Sequence, residues 1–355
     1  MFAQVHYPES LLPEELDEYL AEGWFRNGQR IFTTNFLNFD HKLYSAIWLR
    51  IDLKKNTVDK NIARLKKINP GFTICIQKAS VTPEKESLFQ KYKLGVPFSA
   101  AQSLQTLLFG DSKSDVFPTY EILIYDQEKI IAVGYFDLGL KSAAGITSFY
   151  DPDYKKNSLG KYLIYLKIEY CKLHQYDFFY PGYFAPNYPA FDYKLEIEKG
   201  NLSFLRIETS TWDPIETFRI EENPFQLMCD RLAEMDAALL ANGIACNISK
   251  YTFFEANIIP NLRGLNLFDF PIFLRCFEQM DQAVVNPLIV YDVIYKCFHL
   301  IECKSVWKAD DVDEEPGFYS AHLLKLNKHI CSTKTVDEMT SIVTKALQAK
   351  TNSNS

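Results

Sequence analysis

The segment between residues 119 and 184 constrains the fold most strongly, because strand patterns alternate there with one long apolar helix. It predicts two strands joined by the short polar connection Gln127-Glu128, then a third strand, a helix and a fourth strand. These five stretches, in order, are "TYEILIYD", "KIIAVGYFDLG", "AAGITSFYD", "SLGKYLIYLKIEYCKLHQ" and "DFFYPGYFAP". This order predicts a mixed α/β unit in which the helix crosses between neighbouring strands.

The patterns on either side of this unit divide the 355-residue chain into three regions. Before the unit they predict a helix in "LLPEELDEYLAEG", a strand in "IWLRIDL", a basic helix in "TVDKNIARLKKIN" and further helix over 84–109. After it they predict helices near 223–243 and 271–283, a strand-like stretch over 287–307, an exposed acidic loop over 309–317 and a frayed tail over 348–355. We therefore expect an N-terminal region with basic helices (1–110), a central mixed α/β domain (111–206) and a C-terminal α+β extension (207–350).

Charge is distributed unevenly along the chain. The net charge is −7, yet residues 41–93 contain 12 Lys and Arg against 4 Asp and Glu. A basic segment on an acidic chain can direct a polyanion to one place on the surface. The alternative is that these charges form ordinary solvated helix faces.

The eight cysteines and six histidines form no recognisable metal motif. No two cysteines have CxxC spacing and no two histidines are four residues apart, so we expect free, mostly buried thiols in a reducing cytoplasm. The sequence contains no signal-peptide pattern and no apolar run as long as a membrane span. We therefore expect a cytoplasmic protein with neither a metal nor a membrane partner.

A polar turn precedes the apolar helix of the central unit. It contains Lys155, Lys156, Asn157, Ser158 and Gly160. We expect Asn157 or Ser158 to cap the helix, with its first N–H groups and the lysines attracting an anion near the strand ends. The alternative is a capped structural helix with lysines on its surface.

The strand order and this turn resemble the acetyltransferase-like fold, in which the same helix start receives the pyrophosphate of coenzyme A. The resemblance implies a GNAT-type mixed sheet with crossing helices. The coenzyme A loop has the pattern Q/R-x-x-G-x-G/A, but Asn157 and Tyr162 occupy its first and last positions when Gly160 is aligned. Tyrosine fills space that glycine or alanine leaves open, so an acyl-CoA donor is disfavoured.

Residues 148–194 are more similar to the C-terminal part of the aminoacyl-tRNA–protein transferases, the arginyl and leucyl transferases of the N-degron pathway. That family has "FYDP…SLG", a long apolar helix, a "YLGY" strand and a "CPKMxYK" loop. The matching segments here are 149–152, 158–160, 180–183, Pro189 and Tyr193-Lys194. "EYLAEGWFRNGQRIF" and "WLRIDL" also resemble the family's "LLxxGWRRSGxxxY" and "LRI" segments, which extends the resemblance over residues 14 to 206.

The sequence departs from this family at two places. The family's opening segment is followed by a CxxCxxC cluster that can hold a metal or iron–sulfur centre, but its first two cysteines would fall on Phe36 and Phe39 here. In the later loop, Tyr188, Ala190 and Phe191 replace the family's Cys, Lys and Met. We therefore expect a divergent member with no cofactor other than its co-substrate.

The resemblance implies transfer of an amino acid from aminoacyl-tRNA to the α-amine of an acceptor protein that begins with Asp or Glu. Because the ester is already activated, such an enzyme mainly positions two reactants and stabilises an oxyanion. The expected partners are aminoacyl-tRNA and acceptor proteins with an acidic first residue. The donated amino acid, arginine or leucine, stays open. The alternatives are an acyltransferase with another acyl donor and a non-catalytic protein that binds such N-termini.

The resemblance also implies which cations read the acidic residue of the acceptor. Arg50, Arg26 and Lys194 occupy the motif-matching positions. Arginine offers a planar fork to a carboxylate, whereas lysine acts as a point charge. The alternatives are ordinary ion pairs, which for Lys194 would involve the nearby Glu196 or Glu198.

Further site residues are expected where the third and fourth strands end. Tyr150 and Asp151 close the third strand, where the sheet should open to admit substrate. Asp151 would orient the amine or accept its proton, or would only form a turn before Pro152. Tyr183 and the adjoining Phe184 would stack on the terminal adenine or belong to the core.

The remaining expected contacts lie at the helix start and on the basic segment. Ser158 and Gly160 would contact the substrate at the head of the helix. Basic side chains would bind the tRNA backbone, which fixes position without reading sequence. These side chains are Lys54, Lys55, Lys60, Arg64, Lys66, Lys67, Lys155 and Lys156.

Overall fold

The computed structural model describes residues 2–55, 60–96, 101–110, 112, 115–276, 284–308 and 316–353. The strands are β1 Ala3–His6, β2 Phe25–Asn27, β3 Arg30–Thr34, β4 Phe36–Phe39, β5 Lys42–Ser45, β6 Ile47–Asp52, β7 Thr73–Lys78, β8 Thr119–Asp126, β9 Lys129–Leu138, β10 Ser142–Tyr150, β11 Phe178–Phe184, β12 Leu202–Arg206, β13 Thr211–Pro214, β14 Asn247–Tyr251, β15 Ile272–Arg275, β16 Val284–Asp292, β17 Cys297–Lys308, β18 Phe318–Tyr319 and β19 His322–Thr333. The α-helices are α1 Pro13–Ala21, α2 Lys60–Ile68, α3 Pro83–Lys93, α4 Leu104–Phe109, α5 Leu159–Leu173, α6 Pro224–Ala241 and α7 Val336–Ser353.

The largest sheet confirms the predicted mixed α/β fold. Its eight strands lie in the order β13-β12-β6-β11-β10-β9-β8-β7. β8 and β9 form the predicted hairpin, and β10 pairs antiparallel with β9. The connection from β10 through α5 to β11 is the predicted crossover, because β10 and β11 are parallel neighbours.

Helix α5 packs across β10 and β9 because one side of it is apolar. Leu159 and Leu163 are fully buried in the core between helix and sheet, and such residues contribute about 1.5–3 kcal/mol each to folding. Gly134 of β9 allows the close approach: a Cβ there would lie 3.3 Å from Leu163 Cβ and 2.9 Å from Lys167 Cε. The face of β9 at Gly134 is therefore fitted to α5.

The N-terminal helices agree with the sequence patterns. α1 begins at Pro13, whose missing N–H costs nothing in the first turn, and it buries Leu16 and Leu20. The predicted basic helix is α2 over its described part, whereas residues 57–59 of the predicted segment lie outside the described residues. The helical region predicted over 84–109 contains α3 and α4, and residues 97–100 between them lie outside the described residues.

The C-terminal region has its own six-stranded sheet, in the order β18-β14-β15-β16-β17-β19, with α6 packed on it. The helix predicted near 223–243 is α6, and the strand-like stretch over 287–307 is the β16–β17 hairpin. The helix predicted over 271–283 is wrong, because residues 272–275 form β15 between β14 and β16, and residues 277–283 lie outside the described residues. The frayed tail predicted over 348–355 is wrong as far as Ser353, where α7 ends, and residues 354–355 lie outside the described residues. Of the predicted acidic loop, 309–315 lie outside the described residues.

The N-terminus of the chain is tied to the C-terminal region. Phe2 and Phe36 are buried in the same apolar cluster as Met228 of α6 and Phe273 of β15. The backbone N–H groups of Phe2 and Ala3 both donate to the Asp269 carboxylate, the latter at 3.2 Å. Strands β6 and β7 of the first predicted region and β13 of the third also extend the central sheet. The three-region division stays a prediction.

Within the part of the chain that the structure describes, no helix is both long and apolar enough to cross a bilayer.

Candidate functional site

A gap opens in the central sheet between β10 and β11. The two strands pair only over residues 142–144 and 178–180, after which β10 continues beside β9 and β11 beside β6. Register shifts mark the point of divergence, between Gly145 and Thr147 on β10 and between Phe179 and Gly182 on β11. We call this gap the β10–β11 cleft. Its β10 rim, residues 145–148, is half-buried, in contrast to the fully buried residues 142–144.

The helix start lies beside this cleft, but it is not capped as predicted. Ser158 has a left-handed φ of 51° and its side chain makes no capping hydrogen bond. The Asn157 amide donates instead to Asn69 Oδ1 at 3.0 Å, at the end of α2. The predicted cap is therefore wrong, because a long-range contact holds Asn157. Gly160 lies against the Tyr150 ring, since a Cβ there would be 3.5 Å from Tyr150 Cε1.

Asp151 is held by two lysines. Its Oδ1 lies 2.5 Å from Lys91 Nζ and its Oδ2 lies 2.7 Å from Lys129 Nζ. Burial opposes ionisation, but the hydrogen bonds from Lys129 and Lys91 outweigh it and lower the pKa of Asp151 to about 2. It also accepts from the N–H of Asp153, as in the predicted turn. A carboxylate paired in this way is a poor proton acceptor at neutral pH, so we do not retain Asp151 as the base. Tyr150 lies beside Tyr92, 5.5 Å between ring centroids.

Lys194 lies at the end of β11. Its Nζ donates to the Tyr183 carbonyl at 2.6 Å and would be 3.3 Å from a Cβ on Gly182, whose φ is +85°. The alternative of an ion pair with the nearby glutamates does not hold, because Glu196 pairs with Lys161 and Glu198 with Lys172.

No carboxylate among the described residues lies within ion-pair distance of the Lys194 ammonium. Burial of this ammonium lowers the pKa of Lys194 to about 7. A half-buried lysine without an acidic partner, beside the cleft, is suited to receive a carboxylate from outside.

Arg50 and Arg26 have different surroundings. Arg50, on β6, is half-buried with its guanidinium 4.3 Å from the Phe178 ring centroid and 4.6 Å from that of Trp212. None of the described carboxylates pairs with it, and no described contact joins it to Lys194. Its substrate-binding role stays a prediction.

Arg26 is buried and saturated. Its Nη1 lies 2.8 Å from Asp137 Oδ1, its Nε donates to the Gly28 carbonyl at 2.7 Å, and it also donates to Thr119 Oγ1 and to the Leu108 carbonyl. Arg26 thus forms an ordinary ion pair, which is the alternative to a substrate contact, and four of its five N–H groups donate within the protein. We do not assign it to substrate.

The two predicted adenine-stacking residues are packed among other rings. Tyr183 is half-buried, 5.2 Å from Trp48 and 5.4 Å from Phe191 between centroids. Burial raises the pKa of Tyr183 to about 12, with a further contribution from the charge of Glu255. Phe184 is buried against Phe218. Both positions favour the core alternative.

The predicted tRNA-binding residues form one surface around α2 and the turn before α5. Two hydrogen bonds join the two segments: the Asn157 amide donates to Asn69 Oδ1 at 3.0 Å, and Asn69 Nδ2 donates to the Asn157 backbone carbonyl at 3.1 Å. Exposed ion pairs engage Lys54 with Asp177 and Lys66 with Glu169. The remaining cations pair with no described carboxylate. They are Lys55, Lys60, Arg64, Lys67, Lys155 and Lys156, all exposed.

The two departures from the family pattern meet in space. Phe39, where a cluster cysteine would fall, stacks on Tyr188 at 4.7 Å between centroids. Phe191 lies 5.9 Å from Phe39 and 5.5 Å from Tyr188. An aromatic cluster thus occupies the place where the two family segments come together. Within the described residues, no group of three His, Cys, Asp or Glu side chains is arranged to hold a metal. The eight cysteines are free thiols, four of them buried.

Sequence reasoning missed two ionisable residues near the cleft. Lys167 of α5 is 2% exposed, and its Nζ donates to the Thr147 carbonyl at 2.9 Å and to Ser148 Oγ at 3.0 Å. Burial lowers the pKa of Lys167 to about 7, although Asp137 opposes this. The only sign of it in the sequence is that a charged residue lies among the apolar residues of α5.

Glu255 belongs to the loop after β14 and is half-buried, and its carboxyl has no hydrogen-bond or ion-pair partner among the described residues. Burial raises the pKa of Glu255 to about 7. Its charge acts on Tyr183, whose carbonyl binds Lys194. No local signal could have found it, because its position depends on how the C-terminal region packs on β11.

Comparison with known proteins identifies the family of this chain. Residues 84–203 match the family model described as the C terminus of arginine-tRNA-protein transferase. The chain is 30% identical over 194 residues to an aspartate/glutamate leucyltransferase of Leptospira interrogans, covering 53% of this chain and 74% of the relative. It is 25% identical over 198 residues to the protein of the same name from Campylobacter jejuni, covering 54% and 81%.

Similar solved structures include FemX, with a TM-score of 0.35 at 8% identity over 54% of this chain and 68% of that chain. The ribosomal-protein-S18-alanine N-acetyltransferase from Escherichia coli has a TM-score of 0.22 at 18% identity over 29% and 61%. The sequence relatives and the matched family model carry the assignment. The chain belongs to the aminoacyl-tRNA–protein transferase family of enzymes.

Proposed function

We propose that this protein transfers an amino acid from aminoacyl-tRNA to the N-terminal α-amine of acceptor proteins that begin with Asp or Glu. The observation that carries the proposal is Lys194, a half-buried ammonium at the β10–β11 cleft with no carboxylate partner among the described residues. The names of the relatives support the same acceptor class. Because aminoacyl-tRNA is the co-substrate, we place the enzyme in the cytoplasm.

The proposed step is an acyl transfer from oxygen to nitrogen. The lone pair of the acceptor amine attacks the ester carbon of the aminoacyl-tRNA, a C–N bond forms, and the bond from carbon to the ribose oxygen breaks. One proton leaves the nitrogen and ends on that ribose oxygen. The chain has to hold the two reactants together, which can be worth several kcal/mol of the barrier.

Different residues in and around the cleft bind the two reactants. Lys194 receives the acidic side chain of the acceptor, and a charge-assisted bond of this kind is worth about 1.5–3 kcal/mol. Glu255 offers the opposite charge to the α-ammonium. The basic surface around α2 and Lys155 holds the tRNA backbone near the start of α5.

The test is single-turnover transfer from labelled leucyl-tRNA and arginyl-tRNA to peptides that begin with Asp, Glu or Ala. We expect the Asp and Glu peptides to be labelled much faster than the Ala peptide, and the labelled donor identifies the amino acid. Lys194→Met should lower transfer to the acidic peptides roughly tenfold to a hundredfold. Lys161→Met removes an exposed ammonium that already pairs with Glu196, and serves as the matched control.

Two outcomes would count against the proposal. Folded protein that labels no peptide from either donor would exclude the transferase activity. If that protein still bound Asp-starting peptides through Lys194, it would be a binding protein that has lost the transfer step.

A further inference from the structure

Lys167 is a buried ammonium that the proposed acceptor and tRNA contacts do not use. It extends from α5 past Gly134, the one position on β9 where the absence of a Cβ leaves room for its Cε. It lies within ion-pair distance of none of the described carboxylates. Its two partners, the Thr147 carbonyl and Ser148 Oγ, are both on the β10 rim of the cleft.

The position of these partners follows from the opening of the sheet. Beyond Ala144, β10 loses its pairing with β11, so backbone groups on that side need other partners. Lys167 satisfies the Thr147 carbonyl. In its protonated form Lys167 can only donate, so its second hydrogen bond constrains the Ser148 hydroxyl. The Ser148 oxygen therefore accepts from Lys167, and its own proton is left to donate elsewhere.

Ser148 is half-buried on the rim, whereas Lys167 is enclosed. A hydroxyl that accepts from a cation is a stronger donor than an isolated hydroxyl, because hydrogen bonds in a chain polarise one another. In acyl transfer, the group that needs such a donor is the ester carbonyl oxygen, which becomes negative in the transition state.

We propose that the Ser148 hydroxyl donates to the ester carbonyl oxygen of the aminoacyl-tRNA, and that Lys167 is the positioning residue that fixes and polarises this hydroxyl. This inference rests on the proposed function and adds the oxyanion donor to it. Neither Lys167 nor Ser148 gives up a proton in this step, because the proton that the amine nitrogen loses ends on the ribose oxygen as the C–N bond forms and the C–O bond breaks.

The test measures single-turnover rates at saturating aminoacyl-tRNA for Ser148→Ala, Ser148→Thr, Lys167→Met and the double variant Ser148→Ala/Lys167→Met. Loss of one oxyanion donor lowers kcat by roughly a hundredfold or more, so we expect this for Ser148→Ala. Ser148→Thr keeps the hydroxyl and should recover most of the rate that Ser148→Ala loses. The dissociation constant for aminoacyl-tRNA should not change in any variant.

The double variant separates a chemical role from a structural one. If Lys167 acts through Ser148, Lys167→Met lowers the single-turnover rate when Ser148 is present but does not lower it further when Ser148→Ala is already in place. Rate losses that multiply, or Ser148→Ala at the wild-type rate, would overturn the inference while leaving the proposed function intact. Should Lys167→Met fail to fold, the comparison of Ser148→Ala with Ser148→Thr still tests whether the hydroxyl at position 148 is needed for the rate. A wild-type protein that transfers to no peptide would overturn both.

Discussion

At the scale of single residues, Lys194 links the acceptor preference to pH. Because burial lowers its pKa to about 7, its charged fraction falls as the pH rises through 7. We expect the ratio of kcat/KM for an Asp-starting peptide over an Asn-starting peptide to decline between pH 6 and pH 8.5. The value of kcat/KM is expressed per unprotonated α-amine of each peptide, so that the ionisation of the two acceptors does not enter the ratio.

Two variants check this expectation. Lys194→Met should give a low ratio that does not vary with pH, whereas the Lys161→Met control should follow the wild type. A wild-type ratio that stays constant over this pH range would show that Lys194 does not read the acidic side chain.

Asp151 makes a prediction about stability. Its folded pKa of about 2 lies below the usual 3.8, so its ion pairs stabilise the fold fully above pH 4, and this contribution is lost as the pH falls toward 2. Lys91 and Lys129 are half-exposed, so we expect about 1–2 kcal/mol.

Urea unfolding of the wild type and of Asp151→Asn measures how much the Asp151 ion pairs stabilise the fold. The difference in unfolding free energy between the two proteins should be present at pH 7 and shrink toward pH 3. The exposed neighbour Asp153, which also pairs with Lys91, provides the control Asp153→Asn, for which we expect less than about 0.5 kcal/mol. A difference for Asp151→Asn that does not vary with pH would contradict the assignment.

At the scale of elements, α2 makes a prediction about tRNA binding. Lys60, Arg64 and Lys67 are exposed and pair with no described carboxylate. If each neutralises a phosphate, the triple change to Gln should weaken tRNA binding and reduce the slope of log Kd against log salt by roughly 2–3.

The matched control changes Lys304, Lys325 and Lys328 of the C-terminal sheet to Gln, which removes the same charge from exposed positions elsewhere. Filter binding between 50 and 300 mM salt, a range in which such slopes are large, compares the two triple variants. Equal slopes would mean that α2 has no special contact with tRNA.

The elements also show what local patterns can predict. Strands β8 to β11 and helix α5 follow from strand patterns and from an apolar helical stripe, which are properties of neighbouring residues, and the sheet was expected to open at the end of the third strand, which is β10. The same reasoning wrongly predicted a helix over 271–283, because the short apolar run 272–274 is compatible with either a helix or a strand when both of its faces are buried.

The roles of the side chains at the site were less predictable than the position of the site in the fold. The sequence makes Arg26 a candidate for acceptor binding, but Arg26 pairs with Asp137, which is 111 residues away on β9. Asn157 was expected to cap α5, but its partner lies at the end of α2. In each case a long-range contact decided the role, and no local pattern contains it.

At the scale of the whole molecule, the C-terminal region contributes to the cleft through Glu255. Phe254 beside it is buried in the C-terminal core, so the loop that carries Glu255 is anchored by that region, while its charge acts on Tyr183 of the central sheet. A carboxyl whose pKa burial raises to about 7 binds an ammonium well and can share its proton.

We therefore expect Glu255→Gln to slow transfer to every acceptor peptide by roughly tenfold or more, whatever its first residue. This differs from Lys194→Met, which should affect only the acidic peptides, because the α-amine is common to all acceptors and the acidic side chain is not. Single-turnover rates with Asp-, Glu- and Ala-starting peptides make the comparison, and Glu221→Gln, an exposed carboxylate of the same region, is the control. Wild-type rates for Glu255→Gln would mean that Glu255 takes no part in the transfer step. The contribution of the C-terminal region would then be to the stability of the fold.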